Sequence, residues 1–170
     1  MARATNGPAP RRPLDADGVR EVLRDRGLRY SRPREVILRY LTERDRHLSA
    51  EGLYAALKAQ GDELSLSTVY LNLGVLAGAG LVREFVGAGG EALYDSNVSH
   101  HYHLICRESG EVRDVPVPTI DGMPLGAYLQ DYVERLTGWQ VEEPRVTLRG
   151  CAPRGSLGAT SVADRSSRED

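Results

Sequence analysis

The spacing of apolar positions divides the chain into a helical first half and a mixed second half. Asp15 or Asp17 can cap a segment that carries Val19, Val22 and Leu23 on one face and ends at Gly27. Ser31 and Pro33 open a second segment, with Val36, Ile37, Tyr40 and Leu41 at helical spacing. Ser49 can cap a third, carrying Leu53, Tyr54 and Leu57, and Gly61 closes it. Ser65 or Ser67 starts a fourth, TVYLNLGVLAGAG, in which Val69, Leu73 and Leu76 recur every three or four residues. Short helices ending in one that follows a Ser-rich turn predict a helix-turn-helix.

After Gly80 the period changes. LVREFVGAGGEALYD predicts two strands around Ala88-Gly89-Gly90, the wing of a winged helix. Beyond it, HYHLIC and VRDV predict strands joined by the SGEV turn. LGAYLQDYVERLTG predicts an amphipathic helix with Leu125, Tyr128, Leu129, Tyr132, Val133 and Leu136 in one broad stripe, and VEEPRVTLRG closes with a strand. The fold class is therefore α+β, an N-terminal winged helix-turn-helix domain followed by a small α/β dimerisation domain. The boundaries read as a flexible arm at 1–13, a winged-helix domain at 14–87, a hinge at 88–95, a dimerisation and metal-sensing domain at 96–151, and a disordered tail at 152–170. The second domain has too little core of its own to stand alone, which favours a homodimer.

Composition narrows the function without choosing it. With 41% hydrophobic and 27% charged residues in 170, the chain reads as an ordinary globular protein. No apolar run approaches the ~18 residues of a membrane span, and no apolar stretch follows the basic N-terminus, so a cytoplasmic protein without membrane contact is expected. The net charge of −2 hides an asymmetry: residues 1–86 hold 14 basic against 11 acidic side chains, and residues 87–170 hold 8 against 13. Nearly all the cations are Arg, the side chain suited to forked contacts with phosphate and guanine. Cys106 and Cys151 match neither a disulfide framework nor a zinc-finger spacing, and two thiols not bridged to each other are the simpler reading.

Three of the four histidines lie within four residues: His100, His101 and His103. On a strand, alternate side chains share a face, so His101 and His103 point the same way, and His100 and Tyr102 the other. Asp95 precedes this pair and Asp114 follows it on the next predicted strand. Two imidazoles with two nearby carboxylates form a mixed nitrogen and oxygen set suited to manganese, iron, zinc or nickel. The competing reading is a polar strand with surface histidines.

The runs LRYSRPREVILRYL, HLSAEGLYAAL, LSLSTVYLNLGVLAGAGLV and YDSNVSHHYHLICRESGEVRDV resemble the ferric uptake regulator family, most nearly its peroxide-sensing branch, from about Leu14 to Gly150. That resemblance implies a dimeric winged-helix repressor, not an enzyme, that binds double-stranded operator DNA when a metal loads its sensor site. It implies five ligands, His47 from the DNA-binding domain joined by Asp95, His101, His103 and Asp114; by itself His47 reads as a polar loop residue. Imidazoles with hard carboxylates and no thiolate suit Mn(II) or Fe(II). Asp at 95 and 114, where iron-sensing relatives tend to carry Glu, resembles the peroxide regulators, in which ferrous iron and peroxide oxidise a ligand histidine and release DNA. A metalloenzyme using the His/Asp cluster and a metal-buffering module are the rival classes, although neither needs a winged helix.

Departures from the family pattern carry their own expectations. CRES places Ser109 where a second cysteine would complete CxxC, and GCAPRG leaves Cys151 without a following partner, so no structural zinc held by four cysteines is expected; pairing of Cys106 with Cys151 stays open. A second metal site would draw on His100, Asp121 and Glu143, with Tyr102 and Pro144 standing where ligands usually do. For DNA, the resemblance places the recognition helix at 67–77, with Ser67, Thr68, Tyr70 and Asn72 for phosphate or base contacts and Arg29, Arg32 and Arg34 for the backbone. Tyr70 reads alternatively as a core aromatic. Leu71 stands where many relatives read guanine with Arg, and Arg32-Pro33 reverses the usual order.

Overall fold

The computed structural model describes residues 13–43, 47–142 and 144–151. Helix α1 (Ala16–Asp25) begins where the Asp15 carboxylate accepts from the Gly18 N–H, and ends before Gly27, whose φ of 68° suits a residue without Cβ. Helices α2 (Arg32–Glu43), α3 (Ala50–Ala59) and α4 (Leu66–Gly78) follow. Ser49 caps α3 by accepting from the Gly52 N–H, and Ser65 caps α4 by accepting from the Thr68 N–H. Each cap satisfies a backbone donor that the first helical turn leaves orphaned.

Val19, Leu23, Ile37, Leu41, Leu53, Leu57, Val69, Leu73 and Leu76 meet in one buried core between these four helices. Strands β1 (Arg83–Val86) and β2 (Ala92–Asp95) form the antiparallel wing, with Phe85 opposite Leu93. Residues 92–95, read from the sequence as the wing's second strand and also placed within the 88–95 hinge, form that strand. Ladder pairing with β1 holds them to the helical domain, and the wing needs them to exist at all.

The second half is a three-stranded sheet in the order β4-β3-β7, from β3 (His101–Cys106), β4 (Val112–Pro116) and β7 (Thr147–Gly150). β3 runs antiparallel to β4 and parallel to β7. Two short strands missed in the sequence, β5 (Thr119–Ile120) and β6 (Met123–Pro124), make a small hairpin before helix α5 (Leu125–Thr137). Of α5 only Gly126 is buried; Tyr132, Val133 and Leu136 are exposed, as is Trp139 just beyond it. Of the stripe anticipated on this helix, Leu125, Tyr128 and Leu129 are half-buried, and Tyr132, Val133 and Leu136 are left exposed. No helix among the described residues is long and apolar enough to cross a membrane.

Candidate metal centre and DNA-facing helix

Three pieces of backbone pairing assemble the centre. His47 precedes Leu48, which bridges Tyr94 through two backbone hydrogen bonds, Tyr94 N–H to Leu48 O at 2.9 Å and the reverse at 3.4 Å. An antiparallel bridge at that pair sets His47 opposite Asp95. On the other side, β3 pairs with β4 so that His103 faces Asp114 directly. Two residues along β3, His101 projects from the same face as His103. The Ser96 hydroxyl donates to the Leu41 carbonyl at 2.9 Å and fixes the chain just after Asp95 to the end of α2.

The side chains of His47, Asp95, His101, His103 and Asp114 therefore converge, with one ligand atom from each lying within 4.8 Å of all the others. His101 Nε2 sits 2.9 Å from His103 Nε2 and 3.0 Å from Asp95 Oδ2. His47 Nε2 lies 2.9 Å from Asp114 Oδ1 without a hydrogen bond between them. As a result His47 Nε2, Asp95 Oδ2 and Asp114 Oδ1 are buried without a hydrogen-bond partner. Desolvated polar atoms left in this state cost free energy, on the order of 1–3 kcal/mol each.

Charge and protonation explain what would satisfy them. Burial pushes the Asp95 carboxyl toward the neutral form. The His101 and His103 rings close to Oδ2, the Asn97 N–H on Oδ1 and the charge of His47 outweigh it and hold the group well below the usual carboxylate range. Asp114 is held low in the same way, burial being overcome by His47 and Asn97. For His101, burial acts downward, yet Asp95, the Ser99 carbonyl and the Asp114 charge together raise its pKa. His101 Nδ1 lies 2.8 Å from the Ser99 carbonyl, which can only accept, so Nδ1 carries the proton and Nε2 offers its lone pair to the centre. Two carboxylates and three imidazole nitrogens around one point are an excess of acceptors that a divalent cation would neutralise. The set fits Mn(II) or Fe(II) by donor chemistry.

Among the described residues this is the one group of three or more such donors, and neither His100 nor Asp121 joins it. Both of those are exposed, and Glu143 lies outside the described residues. His100 instead meets Tyr102 edge-on, with ring centroids 6.4 Å apart. Cys106 is buried and Cys151 exposed, and no disulfide joins them.

On α4, the face away from the core presents Ser67, Tyr70 and Leu71, with Leu71 69% exposed. Tyr70 is not a core aromatic: its ring is exposed and its hydroxyl donates to Glu51. Ser67 and Thr68 hydroxyls both reach Ser65 Oγ, at 2.9 and 2.8 Å. Asn72 requires correction. It is buried, and its Nδ2 donates to the Thr68 carbonyl at 2.8 Å, so it faces the core and not a DNA groove. The spacing of Val69, Asn72, Leu73 and Leu76 already places Asn72 on the buried side. Arg29 and Arg32 are exposed, Arg32 pairing with Asp62 at 3.3 Å, while Arg34 folds back to donate to the Arg29 carbonyl.

The sequence model described as "Ferric uptake regulator family" matches residues 25–147. The chain belongs to the ferric uptake regulator family. It is 32% identical over 130 residues to the peroxide operon regulator of Bacillus subtilis, covering 76% of this chain and 86% of that one. Two solved members share its fold. The Vibrio cholerae ferric uptake regulator aligns with a TM-score of 0.61 at 30% identity, over 78% of this chain and 98% of that one. The Pseudomonas aeruginosa ferric uptake regulator, solved with manganese, aligns with a TM-score of 0.58 at 29% identity, over 79% and 97%. Regulators of this family are metal-dependent repressors.

Residues that sequence reasoning did not find also line the centre. Phe85 stacks on His103, and Asn97 hydrogen-bonds to both carboxylates. A lone Phe in a wing strand and an Asn two residues after Asp95 carry no motif, and only the folded geometry singles them out.

Proposed function

We propose that the chain is a metal-activated transcriptional repressor that acts as a homodimer on operator DNA and uses peroxide as its releasing signal. The observation that carries this reading is the origin of the five ligand atoms. His47 belongs to the loop before α3 in the helical domain, and His101, His103 and Asp114 belong to the sheet that follows the wing. Binding one ion to both favours a single relative placement of the two parts, so occupancy and DNA-binding geometry are linked. In that placement α4 presents Ser67, Thr68 and Tyr70 to the major groove, while Arg29, Arg32 and Arg34 are assigned to the phosphate backbone. The exposed apolar side chains of α5, Tyr132, Val133 and Leu136, supply the surface that a second copy would cover. Mn(II) and Fe(II) are the assigned ions, and no structural zinc is assigned.

Ferrous iron bound by these residues would supply the one-electron chemistry that makes peroxide an oxidant of nearby side chains. The chain's contribution is to gather three imidazoles at that point and to hold them dry. A groove lined by Arg83, Phe85, His101, His103, Arg145 and Thr147 gives a small solute a way in. The peroxide-regulator relative supports this signal, as does the pairing of Asp95 with Asp114 in place of longer acids.

Peptide mass spectrometry after peroxide treatment tests the reading on iron- and manganese-loaded protein. The iron form should gain oxygen mass on His47 or His101 and lose operator affinity, and the manganese form should do neither. An iron form without histidine oxidation would make the protein a manganese or iron uptake regulator instead.

A further inference from the structure

Asn97 is buried two residues after Asp95 and hydrogen-bonds to both carboxylates of the centre. Its backbone N–H donates to Asp95 Oδ1 at 2.6 Å, and its Nδ2 donates to Asp114 Oδ2 at 2.9 Å. Its own Oδ1 accepts from the Ser99 N–H at 3.3 Å and from the Ser99 hydroxyl. These partners fix the amide's orientation, because a carboxylate oxygen can only accept and a backbone N–H can only donate.

Each aspartate thus has one oxygen engaged by Asn97 and one left over. The remaining oxygens, Asp95 Oδ2 and Asp114 Oδ1, are among the buried atoms without hydrogen-bond partners. They are also the ones that approach the histidine nitrogens, at 3.0 Å for His101 and Asp95 and 2.9 Å for His47 and Asp114. A carboxylate that chelates through both oxygens must turn both toward the ion, and here the second oxygen is held by an N–H.

We infer that Asn97 is a positioning residue that restricts both aspartates to one ligand oxygen each, so that the protein supplies five donor atoms and a six-coordinate ion keeps one position for a small exogenous ligand. The inference rests on the reading of these five residues as metal ligands. Of the two restraints, only the one on Asp114 runs through the Asn97 side chain; that on Asp95 runs through the backbone and survives substitution.

The test is the longitudinal relaxation of water protons in protein loaded with Mn(II), which reports a coordinated, exchanging water, measured alongside Mn(II) stoichiometry and affinity. Wild-type protein should hold one Mn(II) per chain with the contribution of a coordinated water. Asn97→Ala frees Asp114 Oδ2, and should keep one Mn(II) per chain while losing that contribution. Asn97→Asp keeps the volume but sets an acceptor against Asp114, and should weaken Mn(II) binding on the order of tenfold or more. Wild-type relaxation in Asn97→Ala, or wild-type Mn(II) affinity in Asn97→Asp should Asn97→Ala not fold, overturns the role of Asn97 alone. Wild-type Mn(II) stoichiometry and affinity in His103→Ala overturn the ligand reading, and the inference with it.

Discussion

The ring of Phe85 lies face to face on the ring of His103, with centroids 3.8 Å apart and planes 17° from parallel. His47 meets the same phenyl ring edge-on at 5.4 Å. One wing residue thus braces two imidazoles that come from different parts of the chain. Phe85 walls the centre with apolar surface, which limits water and keeps both rings near the orientation that a ligand needs.

Phe85→Ala should therefore weaken Mn(II) binding on the order of 10- to 100-fold, while Phe85→Leu, which retains apolar bulk, should lose less. Competition titration with a metal-sensitive chelator measures both. Equal affinity in wild type and Phe85→Ala would show that the stacking has no part in holding the site.

The outward Tyr70 of α4 and its inward Asn72 should separate cleanly. Tyr70→Ala should reduce operator affinity about tenfold, in line with the ~1–3 kcal/mol of a specific base contact, with little change in melting temperature because the ring is exposed. Asn72→Ala removes a buried hydrogen bond and should cost about 1 kcal/mol of stability. Its folded fraction should bind operator like wild type. Thermal unfolding and electrophoretic mobility shifts on both variants check the pair, and loss of operator binding by a fully folded Asn72→Ala would contradict the assignment.

Leu71 is the most exposed large apolar side chain of α4. It cannot hydrogen-bond to a base edge, so tolerance to replacing guanine opposite it is expected. Leu71→Arg should create a guanine preference at one operator position, read by competition among operators that differ there. An unchanged base preference would place Leu71 outside the groove.

The cysteines should be dispensable for assembly. Cys106 is buried, Cys151 is exposed, and no disulfide joins the two. A Cys106→Ala, Cys151→Ser protein should remain dimeric and metal-responsive by sedimentation and operator binding. Loss of one tightly held zinc per chain in that variant would contradict this.

What could be read from the chain follows the range of the interactions concerned. Helix limits were legible because Asp15, Ser49 and Ser65 act within their own first turns and Gly27 and Gly61 within their own ends. The pairing of His101 with His103 was legible because strand periodicity is local. His47 was reachable only through family resemblance, since what brings it to Asp95 is the Leu48–Tyr94 bridge, 46 positions apart in the chain. Phe85 and Asn97 were invisible for the same reason, their roles resting on contacts across strands. The wing was legible because Ala88-Gly89-Gly90 marks a turn between two short apolar runs, and residues 83–86 and 92–95 pair across it. The β5–β6 hairpin is two residues per strand, too short for any periodicity to show.

One ion, held jointly by His47 and the sheet ligands, is expected to switch on DNA binding. Operator affinity of the wild-type, His47→Ala and His103→Ala proteins, each with and without saturating Mn(II) at fixed ionic strength, tests it most directly. Mn(II) should raise wild-type affinity at least about tenfold, a coupling of ~1.4 kcal/mol, and should leave both variants, still folded and dimeric, at the metal-free level. A wild-type metal response that persists in His47→Ala and His103→Ala would contradict the account.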